Sequence, residues 1–211
     1  MTTQTTHPIS PLGPVKLAIT MDDMLLWRGV PVPKNYTSLG ITRAMTQALA
    51  RHRATDTFAF SNTAPAEDDP ELLRVFDHWV EQGHHIANHT HHHPSINWVD
   101  AQTYIGDIER TEEIVAALTG KSMRPYFRPP YGDYDASVNA DIARLGFTQN
   151  VLWTIDSTGW RGVPAGTIMK SPFDIFWALP PSMPVPRQLS PSFMGAVSLP
   201  PVTSVAVPSI M

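Results

Sequence analysis

Up to about residue 160 the chain repeats one pattern: a short apolar run, then a longer stretch with an apolar residue at every third or fourth position. Residues 15–21 (Val-Lys-Leu-Ala-Ile-Thr-Met) read as a short buried strand that runs straight into Asp22-Asp23. Thr37 and Ser38 can cap a helix with Ile41, Met45, Ala48 and Leu49 on one face. Residues 55–60 alternate as a second strand. A Pro- and acid-rich link, residues 65–70, leads to a helix with Leu72, Leu73, Phe76, Trp79 and Val80 in one stripe, stopped by Gly83. Residues 84–88 are a third strand. Asp100 then caps a long amphipathic helix carrying Ile105, Ile108, Val115 and Leu118 and closed by Gly120. Tyr126-Phe127-Arg128 is a brief extended segment halted by Pro129-Pro130. Asp135 opens a helix with Val138, Ile142 and Leu145, ended by Gly146, and residues 147–153 are a further strand leading into Asp156.

Strands alternating with helices predict an α/β fold, its parallel strands joined by right-handed helical crossovers. Each polar motif falls just past a predicted strand: Asp22-Asp23, residues 89–93, residues 128–131, and Asp156. In parallel α/β architectures the carboxyl ends of the strands converge on one face, where sites are built. The chain beyond residue 168 differs in kind. From Pro164 onward there are ten prolines, Asp174 is the last acidic residue, and no histidine follows His93. Proline lacks an amide donor and fixes φ, so residues 180–186 can form neither helix nor central strand. Residues 192–207 have room for a short strand. This divides the chain into a tail, 1–14, a domain, 15–168, and a divergent Pro-rich segment, 169–211, expected to be poorly ordered.

Composition narrows the class. Apolar residues make up 42% of the chain and charged ones 16%, which fits a globular protein rather than a disordered one. A net charge of −4 without any basic block leaves no electrostatic footprint for nucleic acid. The absence of cysteine excludes disulfides and thiolate metal sites. No apolar run reaches the roughly 18 residues of a membrane span. Residues 1–14 are polar and lack an apolar signal region, so the expected location is cytoplasmic as written, with secretion the alternative if the start is incomplete.

The chemistry concentrates in Asp22-Asp23 and in Asn88-His89-Thr90-His91-His92-His93-Pro94. Together they offer one carboxylate and two imidazoles for a metal ion, with a carboxylate to spare for proton transfer. That donor set suits zinc or a similar borderline divalent ion, and three protein ligands leave a position open. His89 and His93 are four apart, so one turn of helix-like chain would aim both rings at one ion. Adjacent carboxylates alternate in direction along an extended strand, so only one of the aspartates should grip it. A His-rich tract alone reads equally well as a solvated loop or an adventitious metal binder; the acidic pair upstream weighs against that. His91 and His92 are expected to point elsewhere, and His84 and His85 to be structural.

Four motifs in order carry a resemblance: Thr20-Met21-Asp22-Asp23, His89-Thr90-His91-His92-His93-Pro94, Arg128-Pro129-Pro130-Tyr131-Gly132 and, in part, Asp156-Ser157-Thr158-Gly159-Trp160. Over residues 15–168 or so the chain resembles the polysaccharide deacetylase family, the carbohydrate esterases of family four. The resemblance implies a distorted parallel (β/α) barrel. It implies that Asp23, His89 and His93 hold a divalent metal, Zn2+ by preference, with Asp22 as general base. Arg128 would orient Asp22 and keep it ionised, and the Tyr131 amide would stabilise the oxyanion. Trp153 and Trp160 would line an acetyl pocket. The family's late Leu-x-His, which supplies the general acid, is missing, and Gly159 stands where an acidic residue is usual. The barrel is therefore expected to be incomplete at its C-terminal end, through a frameshift or truncation near residues 168–170. Asp156 loses the histidine it would tune. The implied function is metal-dependent removal of acetyl groups from N- or O-acetylated sugar polymers, slowed by the missing acid. The alternative is a non-catalytic metal- or carbohydrate-binding remnant. An incomplete barrel leaves a bare sheet edge, so self-association is also expected.

Overall fold

A computed structural model describes residues 18–28, 30, 36–157 and 196–198. Its sheet contains β1 (Ala18–Asp22), β2 (Phe58–Ser61), β3 (His85–Asn88), β4 (Tyr126–Phe127), β5 (Gln149–Asn150), β6 (Ile155–Asp156) and β7 (Ala196–Ser198). The first five are parallel neighbours in the order β5-β4-β3-β2-β1. Each new strand is laid beside the last with no reversal, the winding of a (β/α) barrel rather than of a doubly wound sheet. These five form a curled half-barrel.

The helices lie between the strands: α1 (Ser38–Arg51), α2 (Pro65–Asp68), α3 (Arg74–Glu81), α4 (Ala101–Thr119) and α5 (Ala136–Arg144). Side chains fix where they start. Thr37 Oγ1 accepts from the Gly40 amide at 3.0 Å, Asp100 Oδ1 from Thr103 at 2.9 Å, and Asp135 Oδ1 from Ser137 and Val138. Gly120 closes α4 at φ 68, a left-handed cap that L side chains rarely adopt. The core packs the helices against one sheet face: Val75, Phe76 and Trp79 of α3, Tyr104, Ile108 and Val115 of α4, and Val138 and Ile142 of α5 meet Ala59, Ile86 and Phe127. Among the described residues no helix is long and apolar enough to cross a membrane.

Four elements differ from expectation. In α1 the buried positions are Thr42, Thr46 and Leu49, whereas Ile41, Met45 and Ala48 are half-buried. The threonines tolerate burial because their hydroxyls donate to the carbonyls of Ser38 (3.0 Å) and Arg43 (3.1 Å). The second expected helix is split: Pro70–Leu73 form a 3-10 turn before α3 begins. The strand expected at 147–153 contracts to Gln149–Asn150, because the Val151 carbonyl is taken by the Arg128 side chain (2.8 Å) instead of a neighbouring strand. Finally, β7 falls inside the 192–207 interval and pairs antiparallel with β1 and β6. The sheet is thus mixed, and the outer edge of β1, expected bare, is covered over Ala18–Thr20. The remainder of 169–211, including the segment read as poorly ordered, lies outside the described residues, as does the 1–14 tail.

Trp79 is fully buried, donates through Nε1 to the His85 carbonyl (2.9 Å), and packs against the His84 ring at 4.5 Å and 37°. Its replacement by alanine, leaving a large cavity, is expected to lower unfolding free energy by about 3–5 kcal/mol in urea titrations.

Candidate metal centre

β1 delivers two carboxylates to one place by breaking its own geometry. Asp22 is the last residue of the strand, and Asp23 turns left-handed at φ 48 while its amide donates to the Phe60 carbonyl at 3.0 Å. The alternation expected of an extended chain therefore does not continue through Asp23; the kink brings both side chains to the carboxyl end of the sheet. Asn62, just past β2, donates to Asp23 Oδ1 at 2.7 Å, whereas Oδ2 is buried without a hydrogen-bond partner. Burial, reinforced by the adjacent Asp22 charge, pushes the Asp23 carboxyl well above the usual range.

The histidine segment is a loop, not the helix-like turn its spacing suggested. Thr90 (φ 66) and His93 (φ 60) are both left-handed. The Thr90 amide donates to Asn88 Oδ1 (2.9 Å), and the His93 amide to Thr90 Oγ1 (3.1 Å). Asp107 of α4 accepts the amides of His91 and His92 on one oxygen, each at 2.7 Å. This folding sets the His89 and His93 rings 4.8 Å apart at 71°. A carbonyl can only accept, so the 2.7 Å contact between His89 Nδ1 and the Arg128 carbonyl places the proton on Nδ1 and the lone pair on Nε2. Burial lowers both imidazoles to a pKa of about 3, so they are neutral. His93 Nε2 lies 3.7 Å from Asp23 Oδ1.

Asp23, His89 and His93 each present a donor atom within 4.8 Å of the other two. A buried carboxylate oxygen without a partner and two neutral imidazoles is a set left unsatisfied by the protein alone, and a divalent cation satisfies all three. The residues fit such an ion.

Beside them, Arg128 is 1% exposed and meets Asp22 through Nη1. Its Nη2 donates to Thr20 Oγ1 (3.1 Å), its Nε to the Val151 carbonyl (2.8 Å), and its guanidinium sits 4.0 Å from the Phe60 ring centroid. Arg128 thus contacts the carboxylate it was expected to orient, and burial opposes its effect there. Burial raises the Asp22 carboxyl more than Arg128 lowers it, leaving a carboxylate more basic than one in water.

Tyr131 adopts φ 61, ψ 1 inside the short Pro130–Gly132 turn, its ring 4.7 Å from His93. Trp98, 68% exposed, lies 4.9 Å beyond Tyr131, an arrangement the sequence reading missed because Trp98 belongs to no motif. Trp153 packs against Gly132, where a Cβ would stand 3.2 Å from its ring; Trp160 lies outside the described residues. Asp156 is placed on β6. His84 and His85 pack against Trp79 and Phe58 at the opposite end of the strands, beside a cleft of about 310 Å3 that contains none of the residues above. His91 and His92 turn away from the centre, towards Glu67 and Asp107.

Residues 11–150 match the family model described as polysaccharide deacetylase. The chain is 32% identical over 122 residues to a peptidoglycan-N-acetylmuramic acid deacetylase of Bacillus subtilis, covering 58% of this chain and 44% of that protein. It is 30% identical over 161 residues to a peptidoglycan-N-acetylglucosamine deacetylase of Bacillus cereus, covering 75% and 51%. It thus spans about half the length of these curated relatives. Among solved structures, a family 4 carbohydrate esterase from Streptomyces lividans in complex with acetate superposes with a TM-score of 0.55 at 27% identity, covering 72% of this chain and 69% of that one. With three of its motifs gathered at the carboxyl end of a curled parallel sheet, the chain belongs to the polysaccharide deacetylase family.

Proposed function

We propose that this protein hydrolyses acetyl groups from an acetylated carbohydrate, with Asp23, His89 and His93 holding one divalent ion and Asp22 acting as general base. One observation carries the reading: two neutral imidazoles and the unpartnered Asp23 oxygen converge beside a carboxylate held by a buried arginine. The imidazole and carboxylate donors suit zinc, which supplies Lewis acidity at its open position. Relatives named for peptidoglycan and chitin support an N-acetylated amino-sugar polymer as substrate. The acetate complex of the Streptomyces lividans structure supports an acetyl group as the part removed.

The chain's own groups divide the work. Arg128 engages one oxygen of Asp22, and the other takes the proton from the attacking water. The raised affinity of this buried carboxylate for a proton suits that role. The Tyr131 amide donates to the developing oxyanion; its left-handed backbone, set between Pro129-Pro130 and a Gly132 packed on Trp153, is fixed before substrate arrives. Tyr131 and the exposed Trp98 continue the line of rings outward from His93, offering a flat apolar face to a pyranose ring.

Protonation of the leaving group is the weak step. No histidine follows His93 in these 211 residues, so no counterpart of the acid that completes the family's machinery is among them. A positioned acid contributes about 10²–10⁴-fold. An amine leaves far less readily than an alcohol when unprotonated, so this deficit favours esters over amides. That is the observation behind the second reading, a binding protein without turnover.

Acetate release from acetylated chitooligosaccharides and acetylxylan by the zinc-loaded full chain tests the proposal. Chelation is expected to abolish release and zinc to restore it. Asp22→Asn should lower kcat by about 10²–10⁴-fold with zinc content unchanged, while His89→Ala should lose the tightly bound zinc and acetate release together. One equivalent of zinc with no acetate from either substrate would establish the binding reading instead. Trp98→Ala is expected to raise KM about fivefold, the equivalent of ~1 kcal/mol for an aromatic contact, with kcat unaltered. An unchanged KM would remove Trp98 from the substrate site.

A further inference from the structure

The outward side of the histidine loop carries a second donor set. Glu67, His91 and His92 each present a ligand atom within 4.8 Å of the other two, and none takes part in the Asp23–His89–His93 centre. The set has the same composition, one carboxylate and two imidazoles, but a different setting: His91 is 2% exposed at its side chain, whereas Glu67 and His92 are 55% and 60% exposed. We propose that Glu67, His91 and His92 form a second divalent-cation site, suited to zinc by its donors, open to solvent and weaker than the buried centre.

The imidazoles are oriented from behind, as metal-bound histidines generally are. Asp107 Oδ1 holds His92 Nδ1 at 2.6 Å, leaving Nε2 as the nitrogen for an ion. Thr63 Oγ1 holds His91 Nδ1 at 2.6 Å, so His91 Nε2 faces Glu67 Oε1 at 3.0 Å. A threonine hydroxyl both donates and accepts. Without metal, Thr63 donates to Nδ1 and His91 donates from Nε2 to Glu67. With metal, the proton resides on Nδ1, which donates to Thr63, and the Nε2 lone pair is freed. Thr63 then has Thr111 Oγ1, 3.2 Å away, as an acceptor for its own proton. The switch needs no net gain or loss of a proton by the ring. Glu67, on the surface in α2, is free to adjust to the ion, and solvent completes the coordination.

An ion here would tie α2, which follows β2, to the loop that follows β3. The site is separate from the proposed chemistry and stands without it. Equilibrium dialysis of the untagged full chain against zinc should show two classes, one tight and one weaker. Glu67→Gln combined with His92→Gln, both at exposed positions, should remove the weaker class or reduce its affinity by ~10-fold or more and leave the tight class. His93→Ala should do the converse, losing the tight class and keeping the weaker. Binding of a single equivalent by the wild-type chain would overturn the proposal, as would a weaker class that survives the Glu67/His92 double substitution. Loss of acetate release with both classes intact would count against the proposed function and leave the second site standing.

Discussion

The site is organised around a positive charge that has been taken out of water. Arg128 is almost fully buried, and a guanidinium there is tolerated only if its donors are met. They are met by parts of the chain that are distant in sequence: Asp22 and Thr20 on β1, the Val151 carbonyl after β5, and the Phe60 ring of β2. The backbone of the same residue donates to the Asn88 carbonyl at the end of β3 and accepts from His89. One residue thereby sets the position of the base against that of an imidazole. The same demand explains why the fifth strand ends early, since a carbonyl spent on Arg128 is lost to the ladder.

Backbone strain gathers at the same place. Of six non-glycine residues with positive φ among those described, four are Asp23, Thr90, His93 and Tyr131. Such conformations cost about 1–3 kcal/mol each and persist only where surrounding structure enforces them. At Asp23, His93 and Thr90 glycine would relieve the strain but would remove a carboxylate, an imidazole and the hydroxyl that holds the His93 amide. The enforcement is visible: Phe60 and Asn62 hold Asp23, Asn88 holds Thr90, Thr90 holds His93, and the turn around Tyr131 is bounded by prolines and by Trp153 against Gly132.

Much of this was legible in the sequence because the signals are local. The capping residues Thr37, Asp100 and Asp135 and the glycines at 83, 120 and 146 sit where the helices begin and end. The motif residues Asp22, Asp23, His89, His93 and Arg128 are brought together. What escaped notice acts across space. Asn62, Asp107 and Glu112 belong to no motif, yet Asn62 fixes Asp23, Asp107 fixes the histidine loop, and Glu112 anchors Ser122 and the Met123 amide ahead of β4. The conformation of the loop was misread for a related reason. A spacing of four is helical only if nothing competes, and here the side chains of Asn88, Thr90 and Asp107 capture the amides that a helical turn would use.

The two halves of the proposed reaction therefore rest on different parts of the chain. The residues proposed to hold an ion and activate water lie between Thr20 and Val151, cross-linked by Arg128 and framed by α4. The acid that would protonate the leaving group belongs, in the family pattern, to a later strand for which this sequence has no histidine. The β7 strand shields the exposed edge of β1 with backbone hydrogen bonds, a task that any extended segment can perform. Placing a proton donor is more demanding, because it requires a particular side chain at one point over the centre. Covering an edge and placing a proton donor are therefore separate demands on a chain, and in the proposed reading binding and turnover are separable properties of the same fold.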